Sequence, residues 1–309
     1  MLRLPGHDRD MPQGHPSFHA KMNQPLFNID PLHVDSVRYA PAKSLWFTTM
    51  ALTAIVGGVM TFSWSCLLLF AVTTSLVLLF GATLGIHRKL VHESFQCPQW
   101  LEYLLVYLGV LAGMGGPLGS LYQHELRDQA QRSVDCHDYL CHGLAIWRDA
   151  WWQLHCTFES TDTVRLDARS SVLNDRFYAF LERTWEMQQI PWAVLFYCWG
   201  GWSFVVWGIA ARLTVTISGY WLMSYLAHNH GVMQFHVEGA AVQGRNIRFA
   251  SLLTMGECWH NNHHAFPDSA KLGLSPGEWD PGWWTLTLLH RCRLVWNLRL
   301  PEIFPAADH

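Results

Sequence analysis

WSCLLLFAVTTSLVLLFGATLGI, residues 64–86, holds no charged side chain and runs straight into the basic HRKLVH of residues 87–92. An α-helix needs about 20 mostly apolar residues to cross the hydrocarbon core of a bilayer, and this run supplies them. A second uncharged run, residues 45–62, precedes it across a few polar residues around Ser63 and Ser65. The pair reads as a tight transmembrane hairpin, since runs of this length exceed what a buried helix of a soluble domain requires. Further on, residues 178–227 are again mostly apolar, with Pro191 placed to kink the first half and Gly200–Gly201 placed to turn the chain. Crossings are therefore expected near 45–62, 64–86, 178–199 and 203–227. Arg212 would lie inside the fourth and must face the protein, because an unpaired ion is costly in a membrane. Residues 100–121 are apolar but interrupted by Gly109, Gly113, Gly115, Gly116, Pro117 and Gly119, which predicts a broken or interface-lying segment.

Composition agrees. Half of the chain is hydrophobic and 15% is charged, against about a quarter charged in ordinary soluble domains. Tryptophan occurs 17 times, as suits a ring that settles at headgroup depth. A net charge of −3 gives no reason to expect nucleic acid as a partner, and eight scattered cysteines read as reduced thiols. Residues 1–43 read as a polar, mobile tail without the pattern of a secretory signal, its His7, His15, His19 and His33 solvated. Residues 44–309 then form one domain: an all-α integral membrane fold of four transmembrane helices, with a helical cap. The links near 61–65 and 200–202 lack Lys and Arg, whereas Arg38, Lys43, Arg88, Lys89, Arg127, Arg132, Arg245 and Arg248 gather on the other side. The positive-inside rule places that side, and both termini, in the cytoplasm.

The same side carries four sources of imidazole: His87 and His92; His124; His228; and GECWHNNHHAFP with His260, His263 and His264. Neutral imidazole is a common ligand for iron, zinc and copper. His260, His263 and His264 fall at i, i+3 and i+4, one face of a helix able to share a metal site. His87 and His92 are five apart, about 140° around an α-helix, and so point to two neighbouring ions or to a helix end that unwinds.

HRKLVH and HNNHHAFP resemble the first and third histidine boxes of the membrane fatty acyl desaturases of the stearoyl-CoA desaturase type. WLMSYLAH, ending at His228, resembles the stretch with a further ligand histidine. The resemblance covers about residues 45–300. It implies a cap carrying a di-metal site with two iron ions (Fe2+), and oxygen-dependent insertion of a double bond into a fatty acyl chain in lipid biosynthesis. Partners implied are the acyl substrate, dioxygen, membrane lipid and an electron donor such as a ferredoxin, rubredoxin or b-type cytochrome, since the chain has no flavin, nicotinamide or haem motif of its own. No catalytic residue beyond the metal centre is expected.

The chain departs from the family pattern in its second box. There the H-x-x-H-H pattern is met by His124, Arg127 and Asp128. Arginine has no acceptor and cannot ligate; Asp128, at i+4 from His124, is an alternative ligand or a surface partner of Arg127. Ser224 stands where the family usually has an asparagine holding an iron-bound water. CHDYLCH adds Cys136, His137, Cys141 and His142 as replacement ligands, a separate zinc site or site-lining groups. Three other readings stay open: an acyl hydroxylase, a non-catalytic lipid-binding relative with an incomplete metal site, and a zinc hydrolase using Glu257.

Overall fold

The computed structural model describes residues 36–160 and 170–301, plus the backbone of a short strand β1 (Phe18–Ala20). Most of the expected 1–43 tail, with His7, His15 and His33, lies outside the described residues. Its last part does not stand apart as a tail. Strand β2 (Ser36–Tyr39) pairs antiparallel with a later strand, 156–159, and helix α1 (Pro41–Met60) has already begun. Pro41 occupies the first helical turn, where its missing N–H goes unneeded.

After the turn at 61–63, the Ser63 hydroxyl accepts from the Cys66 N–H at 3.2 Å and starts α2 (Trp64–Val91). This helix changes type midway. From Val77 to Val91 it is π-helical, closing i→i+5 hydrogen bonds rather than i→i+4; such stretches are rare and favour functional sites. Helix α3 (Gln99–Val110) lies tightly against it. A methyl group on Gly85 would come 2.2 Å from the Leu105 carbonyl oxygen, so glycine permits this approach.

As the glycine-rich sequence predicts, the 100–121 segment is broken: α3 ends at Val110, and α4 (Pro117–Ala130) restarts seven residues on. Glu182 caps the restart, its carboxylate accepting the Leu118 and Gly119 N–H groups at 2.8 and 3.0 Å, a favourable charge at a helix N-terminus. Then follow the single turn α5 (Asp138–Cys141), α6 (Ile146–His155) and strand β3 (Cys156–Glu159). Helix α7 (Arg176–Thr184) leads through a turn at 185–188 into α8 (Gln189–Asn229). The interruption falls four residues ahead of Pro191, which has no N–H to offer the preceding turn. Gly200 (φ −145°, ψ 19°) and Gly201 (φ 66°, ψ −159°) break α8 internally, at the expected turn. Strand β4 (Phe235–Val237), the short helix α9 (His260–Ala265) and α10 (Pro281–Arg291) complete the chain.

Among the described residues, three helices are long and apolar enough to cross a membrane: α1 with 20 residues, α2 with 28 and α8 with 41. Only 11% of the apolar window in α1 is buried, and Leu45, Ile55, Val59 and Met60 stand exposed along it. The expected third crossing at 178–199 is divided, α7 ending at Thr184 before α8 begins at Gln189. The expectation of an all-helical fold is met for the bulk; the strands form two short two-stranded pairs. Arg212, within α8, is buried and donates to the Gln189 side chain, so it faces the protein as its cost in lipid requires.

Candidate metal centre

Four imidazoles converge from three helices. His87 sits near the end of α2, His92 caps that end, His124 comes from α4 and His263 from α9; their ligand atoms all lie within 4.8 Å of one another. A second group meets the same limit: His228 near the end of α8, with His260 and His264 of α9. The groups adjoin, the His263 and His264 rings being 5.6 Å apart.

The π-helix explains the first group. An α-helix would send His87 and His92 about 140° apart. Here the His92 N–H donates to the His87 carbonyl at 3.1 Å, an i→i+5 link that stacks the two residues along one face. Their rings are 4.8 Å apart and each is 4.5 Å from His263. Both therefore serve one group, not two. Helix α9 divides its histidines in the opposite sense. His260 and His264, at i and i+4, share a group with Nε2 atoms 3.0 Å apart, while His263, about 60° from the first and about 100° from the second around the helix, turns to the other.

Six residues make a weak helix, and side-chain amides hold α9 in place. The Asn261 carbonyl oxygen accepts the Gln234 and Phe235 N–H groups at 2.7 Å, and its amide donates to the Phe235 and Gly244 carbonyls. Asn262 donates to the Leu272 carbonyl and Glu278, and accepts from Asn246. The asparagines of HNNHHAFP are thus the scaffold between the histidines.

Carboxylates stand behind the first group. The Glu257 carboxylate meets His87 Nδ1 at 2.5 Å and Arg88 at 3.3 Å. Arg88, 1% exposed, also reaches Asp280 at 2.8 Å and donates to the Ala270 carbonyl. Asp128 meets His124 Nδ1 at 3.3 Å. In the second group, His228 Nδ1–H donates to the Ser224 carbonyl at 2.8 Å, which leaves Nε2 facing the group.

The electrostatics suit a cation. Burial first, then the neighbouring imidazoles, hold His260 and His263 below the usual histidine range; burial does the same for His264 against the opposing charge of Asp128, so all three are neutral at pH 7 with a lone pair free for a cation. Burial works against the charge of Glu257, but His87 and Arg88 outweigh it and keep the carboxyl ionised. Burial likewise opposes Asp128, and His124 outweighs it. Between the imidazoles, ring nitrogens face one another at 3.0 and 3.3 Å; His263 Nδ1 is buried without a hydrogen-bond partner, and Nδ1 of His87 and of His124 has its carboxylate at ion-pair distance but no well-aligned hydrogen bond. Buried polar atoms in native proteins are normally satisfied; an ion shared among the lone pairs would supply what is missing. The donor set fits iron, with imidazoles backed by carboxylates.

The other expected residues fall around this core. Asp128 lies behind His124 rather than within the four-imidazole group. Ser224 Oγ donates to His142 Nε2 at 2.8 Å, and His142 Nδ1 pairs with the fully buried Asp149 at 2.9 Å. The His142 ring stacks on His228 at 5.4 Å without joining either group. His137 accepts the Tyr139 N–H and caps α5. Cys136 and Cys141 make weak contacts to neighbouring carbonyls and join no ligand group among the described residues. Glu257, bound by His87 and Arg88, is not a free acid or base for a zinc hydrolase. Sequence reasoning missed Gln131, which reaches His228 97 residues away, a separation that no local pattern records, and Asp149, which stands behind His142 seven residues before it and is also held by Trp221.

Comparison with known proteins gives the same direction. The sequence model for the fatty acid desaturase family matches residues 62–291. The chain is 36% identical to the sn-2 palmitoyl-lipid 9-desaturase of Nostoc sp. (strain 36), over 76% of this chain and 81% of the relative. It is 35% identical to the sn-1 stearoyl-lipid 9-desaturase of Anabaena variabilis, over 78% and 86%. An acyl-CoA 5-desaturase of Anemone leveillei is 32% identical over 78% and 74%. The chain belongs to the fatty acid desaturase family of oxidoreductases.

Proposed function

We propose that this protein inserts a double bond into a fatty acyl chain at a di-iron centre, with one ion held by His87, His92, His124 and His263 and the other by His228, His260 and His264. The observation that carries the reading is the convergence of seven imidazoles into two adjoining groups. Iron bound there would supply the oxidising power, with dioxygen, for removing two hydrogens from unactivated methylenes, which no side chain can do. The balance takes two hydrogens from the acyl chain and two electrons and two protons from outside, and turns one dioxygen into two waters. A ferredoxin, rubredoxin or b-type cytochrome is the proposed electron source. The acyl chain is carried as a lipid ester or a coenzyme A ester, both of which occur among the named relatives.

The protein's own part is orientation. Glu257 and Asp128 fix the rings of His87 and His124 through Nδ1, and the Ser224 carbonyl does so for His228. Each contact turns the opposite nitrogen toward the ions and raises its basicity.

We read α8 as two crossings joined at Gly200–Gly201, making four in all. Trp207 Nε1 donates to Thr61 Oγ1 at 3.2 Å, and its ring packs on Phe62, which supports placing the two uncharged turns at one end of the helices. Trp64, Trp199 and Trp202 are exposed there, as rings at a membrane interface are. The histidines occupy the opposite ends of α2 and α8, with the basic residues; on this reading that face and both termini are cytoplasmic.

Expression in a host without its own desaturase, followed by gas chromatography of its fatty acids, tests the activity. New monounsaturated chains are expected with this protein and none with His263→Ala. An unchanged profile would refute the reading, and hydroxylated chains would replace it with hydroxylation.

A further inference from the structure

We propose that the two histidine groups load unequally: the four-imidazole group of His87, His92, His124 and His263 binds its ion first and tightly, and the group of His228, His260 and His264 binds second and weakly. This inference rests on the di-metal reading above and adds an order to it.

The donor count differs, four imidazoles against three. The surroundings differ more. Two imidazoles of the first group have a carboxylate on their far nitrogen, Glu257 for His87 and Asp128 for His124. The matching nitrogen of His228 has only a backbone carbonyl. Asp149 lies near but is engaged by His142 at 2.9 Å and by the Trp221 indole N–H at 2.7 Å. Asp128 also acts on His264 through space, yet its contact is with His124.

A donor touches the second group and a cation stands behind it. The Gln131 amide donates to the Leu140 carbonyl and to His228 Nε2, both at 3.0 Å. The Leu140 contact fixes the amide as a donor, so it competes for the lone pair an ion needs. Arg127 Nη1 lies 3.4 Å from His142 Nε2, whose ring stacks on His228. The guanidinium is anchored by the Gln153 side chain at 2.7 Å and by the Leu140 carbonyl. Arg127 and Gln131 are one helical turn apart, so α4 presents both to the second group. A fixed positive charge and a fixed N–H donor both work against a second cation. Partners behind a ligand each change metal affinity by roughly 10- to 100-fold; the direct contacts here favour the first group, against the smaller opposing influence of Asp128 on His264 and of Arg88 behind Glu257.

The test uses the full-length protein in detergent, stripped with a chelator and titrated with cobalt(II), following visible absorption and equilibrium dialysis. The first equivalent is expected to bind at least about 100-fold more tightly than the second. His92→Ala should remove the tight class, His260→Ala should remove only the weak one, and Arg127→Gln should narrow the gap about tenfold. Two equivalents of indistinguishable affinity in the unaltered protein would overturn the inference, as would a tight class that survives His92→Ala and disappears with His260→Ala. A protein that binds no cobalt would overturn the di-metal reading itself.

Discussion

Two long apolar helices, α2 and α8, end at the metal centre, and they end differently. Helix α8 passes through a short π-helical stretch at Val206–Ala211 but is α-helical from Arg212 to Asn229, and His228 is oriented by the carbonyl one turn back, that of Ser224. Helix α2 becomes π-helical from Val77 and delivers His87 and His92 together to one group. The α-helical end offers one imidazole; the π-helical end offers two, through a rarer helix geometry. Its fixation comes from outside the helix, through Arg88, which ties the π turn to Glu257, Asp280 and the Ala270 carbonyl. The π-helical end of α2 is held by a buried ion-pair cluster, whereas the end of α8 orients its histidine through its own backbone.

The largest effect should come from the α9 residue that completes the group at the end of α2 and adjoins the second group. His263→Ala removes the ring that touches His87, His92 and His264; at least one ion should be lost and the unsaturated product should fall below detection. Iron analysis and the fatty acid profile read this together, and a variant that keeps two ions and its product would break the assignment. Next is Arg88→Ala, which strands Glu257 and Asp280. Removing one partner of a buried pair destabilises by about 3–5 kcal/mol, so thermal unfolding in detergent should shift down by several degrees. An unchanged transition would show that the π-helical end needs no anchor.

Glu257→Gln sharpens the comparison at smaller scale. It keeps the shape of the side chain but removes the charge behind His87, and affinity of the first group should drop roughly 10- to 100-fold while the second group is unaffected. Asp128→Asn should act similarly but at the low end of that range, about tenfold, because its contact is longer, 3.3 Å against 2.5 Å. A complete loss of one ion would instead make Asp128 a ligand. Ser224→Ala should do least. The hydroxyl bond to His142 is lost, worth about 1 kcal/mol, but the backbone carbonyl that orients His228 remains, and metal content should hold.

Much of this was legible in the sequence because the signals are local. Uncharged runs mark α1, α2 and α8, Gly200–Gly201 marks the turn, and HRKLVH and HNNHHAFP carry five of the seven imidazoles. What could not be read depends on helix phase or on distant partners. Spacing at 3.6 residues per turn sends His87 and His92 apart, and nothing in VLLFGATLGIHRKLV announces a π-helix. The i, i+3, i+4 pattern puts His260, His263 and His264 on one face, but the two adjoining histidine groups divide that face between them. Arg88 reads as one of several basic residues at a membrane boundary; its partners Glu257 and Asp280 are 169 and 192 residues away. In the second box, Arg127 looked like a lost ligand, yet it is built into a hydrogen-bonded rim with Gln153, Leu140 and His142.

Anomalous diffraction at the iron absorption edge, from crystals of iron-loaded protein, addresses the whole construction at once. Two peaks are predicted, one enclosed by His87, His92, His124 and His263 and the other by His228, His260 and His264. Iron found elsewhere, or a single peak at full loading, would contradict it.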